Sequence, residues 1–122
     1  MTKVSIPSGF SLHKVFEGHS ETINRLEFSP DGRILASASF DGSIAWWEVN
    51  TGNLQQRLKS TSGYPRAIKF SHDGCWLAVG CSDKTIQLWR EGQLAQVLVK
   101  HVGSVNTVGW SPDDRRLASG SE

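Results

Sequence analysis

Apolar and polar residues alternate along this chain in short bursts, each closed by a turn. Leu26 and Phe28 alternate with Arg25 and Glu27, the period of a strand with one buried face. Ile23 precedes Leu26 by three residues rather than two, so a bulge or bend is expected there. In Ser29-Pro30-Asp31-Gly32, Pro30 suits the second position of a type I turn and Gly32 its last. Ile34-Leu35-Ala36-Ser37-Ala38 predicts a second strand, Asp41-Gly42 a hairpin, and Ile44-Ala45-Trp46-Trp47 a third strand rich in sheet-favouring residues. Thr51-Gly52-Asn53 turns the chain, and Leu54 to Leu58 makes a fourth segment. Leu54/Leu58 and Leu94/Val97/Leu98 also fit helical spacing. Each segment is only a few residues long between turn signals, and a lone helix of that length is marginal, so a strand is the better reading.

The pattern then repeats. Ser29-Pro30-Asp31-Gly32 recurs as Ser71-His72-Asp73-Gly74 and Ser111-Pro112-Asp113-Asp114, with Asp31, Asp73 and Asp113 spaced 42 and then 40 residues apart. Phe28 matches Phe70 and Trp110, and Leu35-Ala36 matches Leu77-Ala78 and Leu117-Ala118. Asp41, Ile44 and Trp47 match Asp83, Ile86 and Trp89, while His19 matches His101. Upstream, Leu12 and Phe16 match Leu54 and Leu58, then Leu94 and Leu98. A four-stranded unit of about 40 residues cannot bury both faces alone, whereas stacked copies share a core. Radial stacking gives a propeller with short, protected edges.

These residues resemble the WD-repeat (WD40) β-propeller family. The resemblance rests on Gly18-His19, Phe28-Ser29-Pro30-Asp31-Gly32, Leu35-Ala36-Ser37, Asp41-Gly42-Ser43-Ile44 and Trp47-Glu48, and it covers residues 10 to 122. The fold class it implies is all-β: a partial propeller of four-stranded antiparallel blades. It would hold a leading lone strand (about 11–17), two full blades and an incomplete third. Residues 1–9 form an N-terminal segment. Repeat 1 runs over about 16–58, repeat 2 over 59–98 and the partial repeat 3 over 99–122.

The resemblance implies a hydrogen-bonded tetrad in each blade, matched in the first repeat by His19, Ser37, Asp41 and Trp47. The chemistry is coherent. A carboxylate accepts from an imidazole N–H, the other ring nitrogen accepts from a hydroxyl, and a buried indole N–H needs an acceptor. In the second repeat Ser60-Thr61 replaces Gly-His and Val79 replaces the serine, so only Asp83 and Trp89 remain. A looser second blade is expected, with Asp83 bonding turn amides. Neither Trp47-Glu48 nor Trp89-Arg90 is a literal Trp-Asp. The third repeat keeps His101 and Ser119 and stops at Glu122, where register calls for the turn Asp next, followed by roughly Gly-x-Ile-x-x-Trp. Family propellers have about four to eight blades. The chain therefore reads as a fragment of a longer product, the alternative being several chains in one ring. Met1 directly before the first repeat argues against an upstream domain. Exposed blade faces and an unpaired edge predict self-association.

Composition narrows the function. Thirteen basic against 12 acidic residues give no electrostatic case for nucleic acid, and no apolar run is long enough to span a membrane. No secretory signal is visible at the N-terminus, and Cys75 and Cys81 do not make a disulfide framework, so a reducing, cytoplasmic setting fits best. No cofactor or metal is expected. His72, Cys75 and Cys81 match no common zinc spacing, and both cysteines read as packing filler. Ser, His and Asp in one repeat suggest a hydrolase triad, but the tetrad explains them together with Trp47, and no Gly-x-Ser-x-Gly elbow is present. Trp46 and Trp110 read as core between blades.

The resemblance places partner-binding positions on one rim, at Ser20, Thr22, Phe40, Tyr64, Ser82 and Ser104. Phe40 and Tyr64 are the aromatic candidates for anchoring a peptide or protein, or else partly packed side chains. Arg66 and Lys84 flank them and favour an acidic partner weakly. The expected function is a non-catalytic protein–protein interaction scaffold. The rival readings are a structural or regulatory propeller module of a larger signalling assembly and, more remotely, a hydrolase.

Overall fold

The structure, a computed structural model, describes residues 16–59, 63–99 and 101–122. Every regular element among them is a strand. β1 (Ile23–Phe28), β2 (Ile34–Ser39), β3 (Ser43–Glu48) and β4 (Leu54–Lys59) pair in sequence order into one antiparallel sheet. β5 (Pro65–Phe70), β6 (Trp76–Cys81), β7 (Thr85–Arg90) and β8 (Gln93–Val99) build a second sheet in the same way. β9 (Val105–Trp110) and β10 (Leu117–Ser121) pair as a two-stranded third. The Leu54 and Leu94 segments are thus strands, in two complete blades and part of a third. Most of the leading strand expected at about 11–17 lies outside the described residues.

The turns explain why the sequence repeats. Gly32, Gly74 and Asp114 each donate a backbone N–H to the serine carbonyl three residues back, at 2.9 Å in every copy. The hydroxyls of Ser29, Ser71 and Ser111 donate to Asp31, Asp73 and Asp113 at 2.7, 2.6 and 2.7 Å. Those hydroxyls, helped by the N–H groups of Arg33, Cys75 and Arg115, hold the three carboxyls below the ordinary aspartate range. The spacing shortens from 42 to 40 residues because the β7–β8 connection is only Glu91-Gly92, with φ of 52° and 75°, a two-residue hairpin turn. The register of β1 against β2 slips between Ile23 and Arg25, where the alternation breaks.

The core lies between the blades. Ala36, Ala38, Ile44 and Leu58 of the first blade meet Ile68, Phe70, Leu77, Val79, Cys81 and Trp89 of the second. Trp46 packs on Phe70 with ring centroids 6.0 Å apart, although its buried indole N–H finds no acceptor. Ala67, Ala78 and Ile86 face Val105 and Val108, with Trp110 and Leu117 against them. Leu26 and Phe28 are 59% and 58% exposed, whereas their counterparts Ile68 and Phe70 are 7% and 8% exposed. The difference is the neighbouring blade that covers the second pair. Cys81 is fully buried, as filler should be, but Cys75 is exposed at the exit of a turn and fills nothing.

The second and third blades approach through Gly80. A Cβ there would stand 2.7 Å from Val105 Cγ1 and 3.2 Å from the Val105 carbonyl oxygen. Gly80→Ala should therefore force this junction apart and lower stability by about 1–3 kcal/mol. Urea unfolding checks this, and an unchanged midpoint would show that the junction is not close-packed.

Candidate functional site

Four segments of the first blade bring His19, Ser37, Asp41 and Trp47 together. His19 precedes β1, Ser37 sits in β2, Asp41 in the β2–β3 turn and Trp47 in β3. Trp47 Nε1–H donates to Ser37 Oγ at 2.8 Å, and Ser37 Oγ lies 2.7 Å from His19 Nε2. His19 Nδ1 lies 3.0 Å from Asp41 Oδ2. Ser37 has one hydrogen, and its oxygen already accepts from the indole. That hydrogen therefore goes to Nε2, which assigns the imidazole proton to Nδ1, where it faces the carboxylate. The contacts form a relay in one direction, from indole to hydroxyl to imidazole to carboxylate. Gly18 belongs beside His19 because a Cβ there would meet Trp47 at 2.9 Å.

Two further residues complete the cluster. Burial opposes the charge on Asp41, but the Ser43 hydroxyl and N–H, the His19 ring and the Ser20 N–H hold its carboxyl well below the usual aspartate range. The Ser43 hydroxyl donates at 2.5 Å and its N–H at 2.8 Å. Arg57 reaches over from β4, donating to Ser43 Oγ at 3.1 Å and to the Gly18 carbonyl. Sequence reasoning missed both. Ser43 had a signal, since a hydroxyl recurs two residues after the turn Asp, in Asp41-Gly42-Ser43 and Asp83-Lys84-Thr85. Arg57 had none, because Val97 occupies its place in the next repeat.

The second blade solves the same problem differently. Trp89 Nε1–H donates to Gln87 Oε1 at 3.1 Å, and Gln87 is fully buried. Gln87 pairs across the strands with Val79, as Ala45 pairs with Ser37 in the first blade. The acceptor has moved to the opposite strand at the same level of the sheet. The blade expected to be looser therefore carries its own replacement. Asp83 Oδ1 accepts from the Thr85 N–H at 3.2 Å and from its hydroxyl at 2.5 Å. Ser60 and Thr61 lie outside the described residues. In the third repeat His101 Nε2 lies 2.7 Å from Ser119 Oγ.

His19 and Ser37 of the first blade are closed to solvent. The His19 side chain is 2% exposed and Ser37 is 1% exposed. Among the described residues no cluster of His, Cys, Asp or Glu is arranged to hold a metal ion.

The rim is different. Phe40, in the β2–β3 turn, meets Tyr64, just before β5, edge to face with centroids 4.9 Å apart and planes at 87°. Phe40 remains 48% exposed. Ser82 Oγ accepts the Tyr64 N–H at 2.9 Å, and Ser104 Oγ donates to the Ser82 carbonyl at 3.1 Å. Both hydroxyls are engaged in holding the rim. Ser20 reaches Asp41 through its backbone N–H, and the Thr22 carbonyl accepts from Phe40 N–H. Arg66 pairs with Glu122 at 3.6 Å, while Lys84 takes a left-handed φ of 77° where Gly42 takes 88°.

A family profile described as "WD domain, G-beta repeat" matches residues 10–48, 52–90 and 92–122. The chain is 31% identical over 114 residues to human Pre-mRNA-processing factor 17, covering 89% of this chain and 20% of that protein. It is 35% identical over 121 residues to the small ribosomal subunit protein RACK1 of Schizosaccharomyces pombe, covering 91% of this chain and 38% of that protein. The solved structure of U3-55K superposes with a TM-score of 0.83 at 26% identity, covering 87% of this chain and 35% of that one. The chain thus spans well under half the length of these relatives.

Asp41 gives a prediction with a definite sign. A carboxyl depressed in the folded state adds stability that is fully present above its unfolded pKa, near 3.9, and is lost as pH falls towards the folded value. Tryptophan fluorescence should show stability declining below about pH 4. Asp41→Asn should make that decline shallower; equal acid slopes in the two proteins would contradict the assignment.

Proposed function

Because this chain belongs to the WD-repeat family, we propose that it is a non-catalytic interaction scaffold that binds a peptide or protein on its propeller rim. The observation that carries the proposal is the Phe40–Tyr64 pair. It bridges two blades, and it keeps Phe40 48% exposed beside the half-buried Tyr64. Rigid aromatic side chains supply contact area at low entropic cost, which suits them as anchors. Lys84 biases the rim weakly towards an acidic partner, while Arg66, paired with Glu122, adds less.

The buried tetrad has a structural role in this reading. His19, Ser37, Asp41 and Trp47 satisfy one another and tie the loop before β1 to β2 and β3. Asp83, Trp89, His101 and Ser119 contribute partial versions of the same function. Balanced charge supports a protein rather than a nucleic-acid partner. No helix among the described residues is long and apolar enough to cross a membrane. Cys75 and Cys81, which make no disulfide framework, fit a reducing, cytoplasmic setting. A second reading, a structural or regulatory propeller module in a larger signalling assembly, is favoured by the exposed Ile23, Leu26 and Phe28 of β1. These present an apolar sheet face to a neighbour and a route to self-association.

Phe40→Ala with Tyr64→Ala separates the two readings. Affinity capture followed by mass spectrometry should lose specific proteins while circular dichroism and thermal unfolding stay near the parent values. Unchanged capture would remove the rim proposal and leave the structural reading.

A further inference from the structure

The turn between the first and second strand of each blade departs from Ser-Pro-Asp-Gly at two places, His72 in the second copy and Asp114 in the third. The departures face each other across a blade junction. At the junction before it, Pro30 lies against Gly74, where an added Cβ would stand 3.5 Å from Pro30 Cδ. Pro30 has no N–H to satisfy, and Gly74 offers no acceptor side chain. One junction later the same two positions hold His72 and Asp114. Asp114 Oδ1 accepts from the His72 backbone N–H and from its ring Nδ1–H, each at 2.8 Å, and Oδ2 accepts from the Asp73 N–H at 2.9 Å.

We infer that His72 and Asp114 are one compensated pair, an inter-blade clasp that docks the third blade on the second and makes this junction non-interchangeable with the one before it. Asp114 holds φ at 59°, where Gly32 and Gly74 hold 73° and 76°. A side chain in that region is strained, and Asp is among the few residue types that tolerate it. It also brings a third carboxylate near Asp73 and Asp113, whose charges oppose their neighbour's. Three charge-assisted hydrogen bonds offset both costs, and they keep the Asp114 carboxyl low despite burial. Proline at position 72 would remove two of the three donors and leave the carboxylate only the Asp73 N–H. Glycine at position 114 would leave three donors without a protein acceptor. Each departure is therefore matched to the other, and neither suits the Pro30–Gly74 junction. At the far end of the same junction Ser104 Oγ donates to the Ser82 carbonyl, and Arg66 pairs with Glu122. The clasp thus pins the lower end of a hairpin already held at its upper end.

A double-mutant cycle on the full 122-residue chain tests the coupling. His72→Pro should lower the thermal midpoint in the parent protein, and should leave it unchanged or raise it in the Asp114→Gly background. Pro30 and Pro112 show that the turn accepts proline at this position. An equal shift in both backgrounds would overturn the proposal. Should His72→Pro fail to fold, amide exchange on Asp114→Gly reads the same contact. The His72 and Asp73 amides should then exchange at least about tenfold faster, as expected when a hydrogen-bonded amide opens to solvent. The Gly74 amide, bonded within its own turn, should not change. Unaltered exchange at both His72 and Asp73 would equally sink the clasp.

Discussion

The buried indole N–H groups of Trp47 and Trp89 each find an acceptor, and that demand organises the interior of the two complete blades. Leaving such a donor unpaired costs about 1–3 kcal/mol, a sizeable share of a small domain's stability. Trp47 and Trp89 hold equivalent places on β3 and β7 and are 3% and 7% exposed. In the first blade Ser37 accepts, and it passes the requirement to His19 and Asp41, whose charge is met by the buried Ser43, the Ser20 N–H and Arg57. In the second blade Gln87 accepts directly, so no hydroxyl or imidazole relay is needed to satisfy the indole. Trp46 is the exception, an indole N–H buried without a partner at a position where the second repeat carries Leu88.

The second constraint is the face of the sheet. A four-stranded blade has two faces and can fill neither alone, so the apolar residues of one blade are completed by the next. Between the first and second blades this produces a closed core from Ala36 to Trp89; at the outer face of β1 it leaves Leu26 and Phe28 in solvent. Apolar contact sets the spacing of blades but says little about which blade follows which. The turn residues that meet across each junction supply that distinction, an apolar Pro30 against Gly74 at one and a hydrogen-bonded His72 against Asp114 at the other. The same stacking brings Phe40 and Tyr64, from different blades, into one aromatic surface.

Much of this was legible in the sequence because each signal was local or periodic. The turn residues, the alternation in β1 and the shared register of three copies led to all-β blades and to the residues that cluster around Trp47. What escaped was long-range or substituted. Gln87 stands where the first repeat has Ala45, and a lone polar residue in a strand reads as solvent-facing. Only the pairing of β6 with β7 shows that it replaces Ser37 from the opposite strand. Arg57 reached the cluster from a strand whose other copy carries valine. Asp114 read as one more turn residue, since its partners lie 42 and 41 positions away. Cys75 read as filler with Cys81 because their spacing matched no zinc site, and spacing alone does not show which of the two is buried.

The central claim is that the indole acceptor is a fixed requirement whose position can move between facing strands. Urea unfolding of three variants tests it directly. Gln87→Ala should lose about 1–3 kcal/mol, the cost of an orphaned buried donor. Adding Val79→Ser, which restores the arrangement of the first blade, should recover a substantial part of that loss, although Val79→Ser alone should destabilise. Strictly additive losses in the double variant would contradict the account.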